Sequence, residues 1–187
     1  MKMSQMKWWT LLLLITIGLV SPACSSKNDP DDDEEETEEL TGVITVNMRN
    51  ESQGNTSIEI LTKSGVTAGY LRISNENNFE TSSRYYLYEY TTPSLQICDV
   101  GVKKMEKVTN VPTKGWVTEL AVEPKHSYVI KAIDGYEQYN SQRGGYEYVA
   151  TGKITYYRLY VTQWTVNTSG GILGAQVQYC EWKTTGK

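Results

Sequence analysis

The chain has 187 residues, 39% of them hydrophobic and 21% charged, with a formal net charge of −4. The acidity is local: nine of the 22 acidic residues lie within 29–39 and three of the 18 basic residues are Lys2, Lys7 and Lys27, so residues 41–187 keep 13 acidic and 15 basic side chains, a net of +2. That near-neutral stretch is one domain in size, and it lacks the clustered basic footprint that would make nucleic acid the expected partner.

The first segment carries Lys2 and Lys7, then the apolar run from Trp8 to Val20, then small residues up to Cys24. Thirteen apolar residues fall short of the ~20 that span a bilayer, and they fit the roughly 7–15 of a secretory signal core. The order resembles a bacterial lipoprotein signal, although Ser21 stands where that signal usually has Leu. The resemblance implies that residues 1–23 are removed and that Cys24 becomes a lipidated N-terminus, the chain's link to a membrane. An ordinary cleaved signal is the alternative. Residues 24–40 hold almost no apolar side chain, so they cannot bury enough surface to offset ordering entropy and read as a disordered acidic tether. An acidic run directly after the lipidated cysteine is similar to the surface-export signal of Bacteroidetes lipoproteins. That implies an outer-membrane location with display at the cell surface, the periplasmic leaflet being the alternative.

Residues 41–187 hold all 14 tyrosines, with Trp116, Trp164, Trp182 and Phe79. Aromatic and β-branched residues suit strands. Apolar and polar residues alternate in Ile44–Met48, Ile58–Ile60, Leu71–Ile73, Leu95–Cys98, Leu120–Val122, Tyr128–Ile130, Ile154–Val161 and Ala175–Cys180. Alternation of this kind predicts half-buried antiparallel strands. Turn signals fall between them, including Ser64-Gly65, Thr113–Gly115, Gly144-Gly145 and Thr168–Gly171. Pro124-Lys125 reads as the turn of a hairpin, and 102–111 as room for one helical turn before Pro112. The expected fold is all-β: an antiparallel sandwich, or alternatively an open barrel, of about eight to ten strands.

Few residues offer chemistry. His126 is the only histidine, and with no evident carboxylate to orient it the expectation is a turn histidine bonded to local backbone. No spacing suits a zinc site and no glycine-rich phosphate loop precedes a helix, so no metal and no cofactor is expected. A glycosidase would need two convergent carboxylates, and glutamates such as Glu119 and Glu181 read more simply as solvent-facing strand residues. With Cys24 lipidated, Cys98 and Cys180 remain as a possible disulfide, or as two buried free thiols. Tyrosine is the positive signal. One cluster is Tyr85, Tyr86, Tyr88 and Tyr90, where tyrosine reads as a favoured strand residue. The other, Tyr136, Tyr139, Tyr146 and Tyr148, surrounds Gly144-Gly145 in a longer polar stretch, where exposure and ligand contact are expected.

Three stretches, 97–101, 121–131 and 157–161 leading to 168–175, together resemble an uncharacterised family of Bacteroidetes lipoprotein domains. In that family glycine commonly flanks the histidine on both sides, where Lys125 and Ser127 stand here. The resemblance implies an exported β domain and supplies no catalytic residues. The functional expectation is a non-catalytic surface module that binds glycan or protein. The alternatives are a structural or accessory subunit of an envelope complex and, less favoured, a hydrolase.

Overall fold

The computed structural model describes residues 39–46, 57–87 and 92–182. Cys24, the tether up to residue 38, and Tyr88 and Tyr90 lie outside the described residues.

The domain is all-β. Among the described residues there are eleven strands: β1 (Leu40–Thr45), β2 (Ser57–Leu61), β3 (Thr67–Ile73), β4 (Asn78–Ser83), β5 (Tyr86–Leu87), β6 (Thr92–Pro93), β7 (Leu95–Val102), β8 (Glu119–Ala121), β9 (His126–Asn140), β10 (Gly145–Val166) and β11 (Ile172–Trp182). The count exceeds the expected eight to ten because β5 and β6 form a two-residue pair too short to show alternation. A five-stranded sheet runs β1-β11-β10-β9-β7 and a four-stranded sheet runs β2-β3-β4-β8. Every ladder within these sheets is antiparallel, and no sheet closes into a barrel.

The alternation read from the sequence becomes the core. Ile44, Ile60, Leu71, Ile73, Phe79, Leu95, Ile97, Tyr128, Ile130, Leu159, Val161 and Val177 are almost fully enclosed and form one cluster contributed by both sheets. Successive strand side chains point to opposite faces. Thus Ile130 and Ala132 enter the core while Lys131 between them stays on the outer face. Phe79 of the smaller sheet meets Tyr128 of the larger one edge-on, with ring centroids 5.0 Å apart. At the sheet borders, Ser83 Oγ donates to Leu95 O at 3.2 Å and accepts from Leu95 N at 3.1 Å, so a hydroxyl takes the place of a ladder rung.

Two connections differ from expectation. The segment 102–111 forms a single 3₁₀ turn at Met105–Lys107, ended at Val108 rather than at Pro112, with Met105 and Val108 buried. Pro124-Lys125 is not a hairpin turn, because β8 pairs with β4 and β9 lies in the other sheet. It is a crossover between sheets. Tyr128 fixes it: its hydroxyl accepts from Glu123 N at 2.7 Å and donates to Ala121 O at 3.2 Å. His126 N donates to Glu123 O at 3.2 Å, closing a four-residue turn in which Lys125 has φ 70°. The left-handed region at that turn position favours glycine. The backbone role that Lys125 hides in the sequence is therefore present.

Candidate functional site

The β9–β10 hairpin outgrows its sheet. Among the described residues β7 pairs with β9 only as far as Ala132, and β11 pairs with β10 only from Tyr156. Residues 134–150 thus form a two-stranded arm. A two-residue bulge marks its base: Ala150 pairs with Gly135 and Ile154 with Ile133, while Gly152 takes φ 80°. At the tip, Asn140 Oδ1 accepts from the amides of Gln142 and Arg143 at 3.0 and 3.2 Å, and Gly144 at φ 68° returns the chain.

An isolated two-stranded ribbon is marginal in water, so the arm needs anchoring. Asp134 supplies the first anchor and is only 3% exposed. Its carboxylate accepts from Ser64 Oγ at 2.5 Å in the β2–β3 turn and from Thr151 Oγ1 at 3.2 Å in the bulge. Burial alone raises the pKa, but hydrogen bonds from Ser64, Thr62, Thr151 and the Gly135 amide together outweigh it and hold the carboxyl below its usual value. The second anchor is aromatic. The Tyr148 ring lies across Gly135, where an added Cβ would stand 2.3 Å from Tyr148 Cε1. Its hydroxyl donates to Gly135 O at 2.8 Å, and burial pushes its pKa up to about 12, so it stays a donor. Tyr85 stacks on that ring, 3.6 Å between centroids and 5° from parallel, and the Arg84 guanidinium lies 5.3 Å above Tyr85.

The four tyrosines expected at this hairpin do not share one surface. Tyr139 and Tyr146 are directly opposite each other, with rings edge to face at 5.4 Å, and Tyr148 falls on their side of the ribbon. Tyr136 pairs with Val149 on the opposite side. Period-2 alternation forces that split, since 136 and 139 differ by an odd number. Tyr85 and Tyr86, from the other sequence cluster, complete the first side. With Arg84, Glu137, Tyr146, Glu147 and Tyr148 they line a cleft of about 220 Å³. Tyr146 is 71% exposed and Tyr86 50%, so these two rings are the free walls, while Tyr85 and Tyr148 are committed to each other. A larger depression of about 320 Å³ lies on the smaller sheet, around Arg72, Glu80 and Glu119. It offers one aromatic ring, Tyr86, and its Arg72–Glu80 pair is already joined at 2.8 Å.

His126 is not bonded to local backbone through its ring. Nδ1 meets Asp99 Oδ2 at 2.9 Å across the β7–β9 ladder, and Asp99 Oδ1 accepts from Gly101 N at 2.7 Å. An orienting carboxylate is therefore present. A nucleophile bonded to the ring is not, among the described residues: Ser127 Oγ donates instead to Lys103 O at 2.7 Å. Glu119 and Glu181 lie in different sheets. Among the described residues no group of three or more His, Cys, Asp or Glu side chains could hold a metal ion.

Cys98 and Cys180 are both buried and free. The possible bridge is ruled out by strand order: β7 and β11 are separated by β9 and β10. Three spacings of about 4.8 Å far exceed the ~7 Å that a disulfide allows between Cα atoms.

A third group, on the outer face of the larger sheet, was missed by sequence reasoning. Lys131 pairs with Tyr156, Tyr156 with Trp182, and Arg158 with Cys180. Trp116, from the loop after the 3₁₀ turn, lies over the Lys131 ammonium at 4.6 Å. The available signal was the placement of Lys131 and Arg158 at outward positions between core residues.

The fold and the arm define a two-sheet antiparallel β domain with an aromatic-lined projecting hairpin. Residues 45–186 match the family described as Domain of unknown function (DUF5036), and the chain belongs to that family. No curated protein and no solved structure matches the chain.

Proposed function

We propose that the chain is a lipid-anchored protein of the bacterial cell surface, of the Bacteroidetes type, whose β domain is a non-catalytic binding module. The tyrosine cleft along the arm is its binding surface, and a neutral glycan is the ligand it suits best. The observation that carries this is the Tyr85–Tyr148 stack over Gly135. It builds a fixed floor and leaves Tyr86 and Tyr146 free. Exposed tyrosine rings accept the C–H face of a sugar, while Arg84, Glu137 and Glu147 supply donors and acceptors for hydroxyls.

Titration of the full chain with host and dietary polysaccharides tests this by tyrosine fluorescence. A saturable change that weakens in Tyr146→Ala supports the cleft. Binding that is unaffected by both Tyr146→Ala and Tyr86→Ala sinks it. The anchor at Cys24 is tested separately: protease added to intact cells should cleave the protein, and full protection there sides with the periplasmic leaflet.

The second reading is an accessory subunit of an envelope complex. It is favoured by the arm's two strand edges, which among the described residues have no neighbour in the sheet beyond Ala132 and before Tyr156. Such edges accept an added strand. Crosslinking in intact cells that recovers one defined envelope protein through the arm supports this reading.

A further inference from the structure

The outer face of the larger sheet carries two cations that form no ion pair among the described residues. Lys131 projects there because Ile130 and Ala132 flank it in the core, and Arg158 does so between Tyr157 and Leu159. By register they sit diagonally across β9 and β10, one opposite Tyr156 and the other opposite Val129. Such diagonal neighbours lie about 7–8 Å apart. Among the described residues the ion pairs are Arg72–Glu80 and Asp99–His126, so no described carboxylate reaches either cation within 4 Å. Glu39 is near enough to act on Cys180, yet it pairs with neither.

Aromatic rings hold both charges in place. The Lys131 ammonium lies 4.6 Å from the Trp116 ring centroid, and the Arg158 guanidinium 5.5 Å from that of Trp182. Trp116 is fixed in turn by its indole N–H, which donates to Pro112 O at 3.2 Å, and it leans against Tyr156 at 6.1 Å. Among the described residues Arg158 Nη2 meets Cys180 Sγ at 3.8 Å, and its enclosed Nε has no acceptor. Partial burial also lowers the Lys131 pKa, as expected of a cation with no anion beside it. A half-buried cation without a counter-ion is costly. A bound anion would offset that cost, and the row Trp116, Tyr156, Trp182 offers ring surface beside it.

We propose that this face is a second binding site, distinct from the tyrosine cleft, for an anionic saccharide whose ring lies against the Trp116–Tyr156–Trp182 row and whose carboxylate or sulfate meets Lys131 and Arg158. The two sources of negative charge share one chemistry, and the probes separate them.

The test follows tryptophan fluorescence of the full chain during titration with polygalacturonate, with heparin and with a neutral β-glucan. At least one polyanion should give a saturable change that weakens with added salt, and the glucan should give none at this site. Lys131→Gln and Arg158→Gln should each weaken polyanion binding about tenfold or more, the effect of losing a charge-assisted contact. Lys131→Arg should restore it. A double variant, Lys63→Gln with Arg143→Gln, removes exposed charge from the β2–β3 turn and the arm tip and should leave affinity within about twofold. Tyr146→Ala should leave it unchanged, which separates this site from the cleft. Thermal unfolding of each variant shows whether the fold is intact. The proposal is overturned if neither polyanion binds, if folded Lys131→Gln binds as the parent does, or if the Lys63/Arg143 variant loses as much.

Discussion

The body of the domain and its arm are built from the same two strands under opposite conditions. Within the sheet, β9 and β10 have neighbours on both sides and place Tyr128, Ile130, Leu159 and Val161 in an enclosed core. Beyond Ile133 and Ile154 no described strand flanks the pair, and Tyr136, Tyr139 and Tyr146 are each more than half exposed. The body is held by burial, and the arm by a handful of specific contacts: the Asp134 carboxylate, the Tyr148 ring on Gly135, and the Tyr85 stack. Residue type alone therefore does not say what a tyrosine does here. Tyr128 is core, Tyr148 is an anchor and Tyr146 is surface.

The largest effect should come from the body. Ile130→Ala removes a side chain that is 1% exposed, and large-to-small core changes of this kind cost about 2–5 kcal/mol. Chemical denaturation should show one cooperative loss. A cost under about 0.5 kcal/mol, the usual range for surface changes, would break the contrast.

Gly135→Ala comes next. The new Cβ would meet Tyr148 at 2.3 Å and Val149 O at 2.7 Å, the second of these being backbone that cannot step aside cheaply. Overpacking of this kind costs about 1–3 kcal/mol. Its signature should be amide exchange that accelerates in 135–150 well before the core responds.

Asp134 gives the pH dependence. Its folded pKa is lowered, so its contribution is present above the unfolded value of about 3.9 and is lost as pH falls through the lower folded value. Asp134→Asn should cost about 1–3 kcal/mol at pH 7, the range for disrupting buried hydrogen bonds to a charge. The difference from the parent should narrow below pH 4. A gap that stays constant to pH 2 would show that the charge contributes nothing.

Lys125→Gly should stabilise by about 1 kcal/mol, since a non-glycine residue in the left-handed region costs roughly 1–2 kcal/mol and glycine returns part of that as chain entropy. The smallest effect is expected of Tyr146→Ala: within about 0.5 kcal/mol in stability, because the ring is mostly solvated. A large loss there would mean that the arm's exposed rings are structural after all.

Period-2 alternation located the strands because one face of each is buried, and Leu95, Ile97, Leu159 and Val161 fell on that face as expected. Alternation says nothing about which strands are neighbours. It therefore missed that β8 and β9 belong to different sheets, and that Asp99 would meet His126 across a ladder 27 residues apart in sequence. The exposure of Tyr136, Tyr139 and Tyr146 was legible, but Tyr148 is half-buried under Tyr85, and the division into two sides, with Tyr136 on the other one, depends on register. The partnership of Tyr85 with Tyr148 joins residues 63 apart and left no local trace. Lys125 misled for a different reason. Its turn demands a backbone conformation that the side chain does not advertise.

The two thiols have a consequence in time rather than space. Burial raises the pKa of Cys98, with the neighbouring Asp99 charge adding to it. Burial likewise raises that of Cys180, although Arg158 opposes the shift. Neither presents a reactive thiolate while the sheet is closed. One marks the β7 edge and the other the β11 interior. Each modification event must then wait for its own strand to open, so the labelling rates of Cys98 and Cys180 are two independent clocks on the breathing of one sheet.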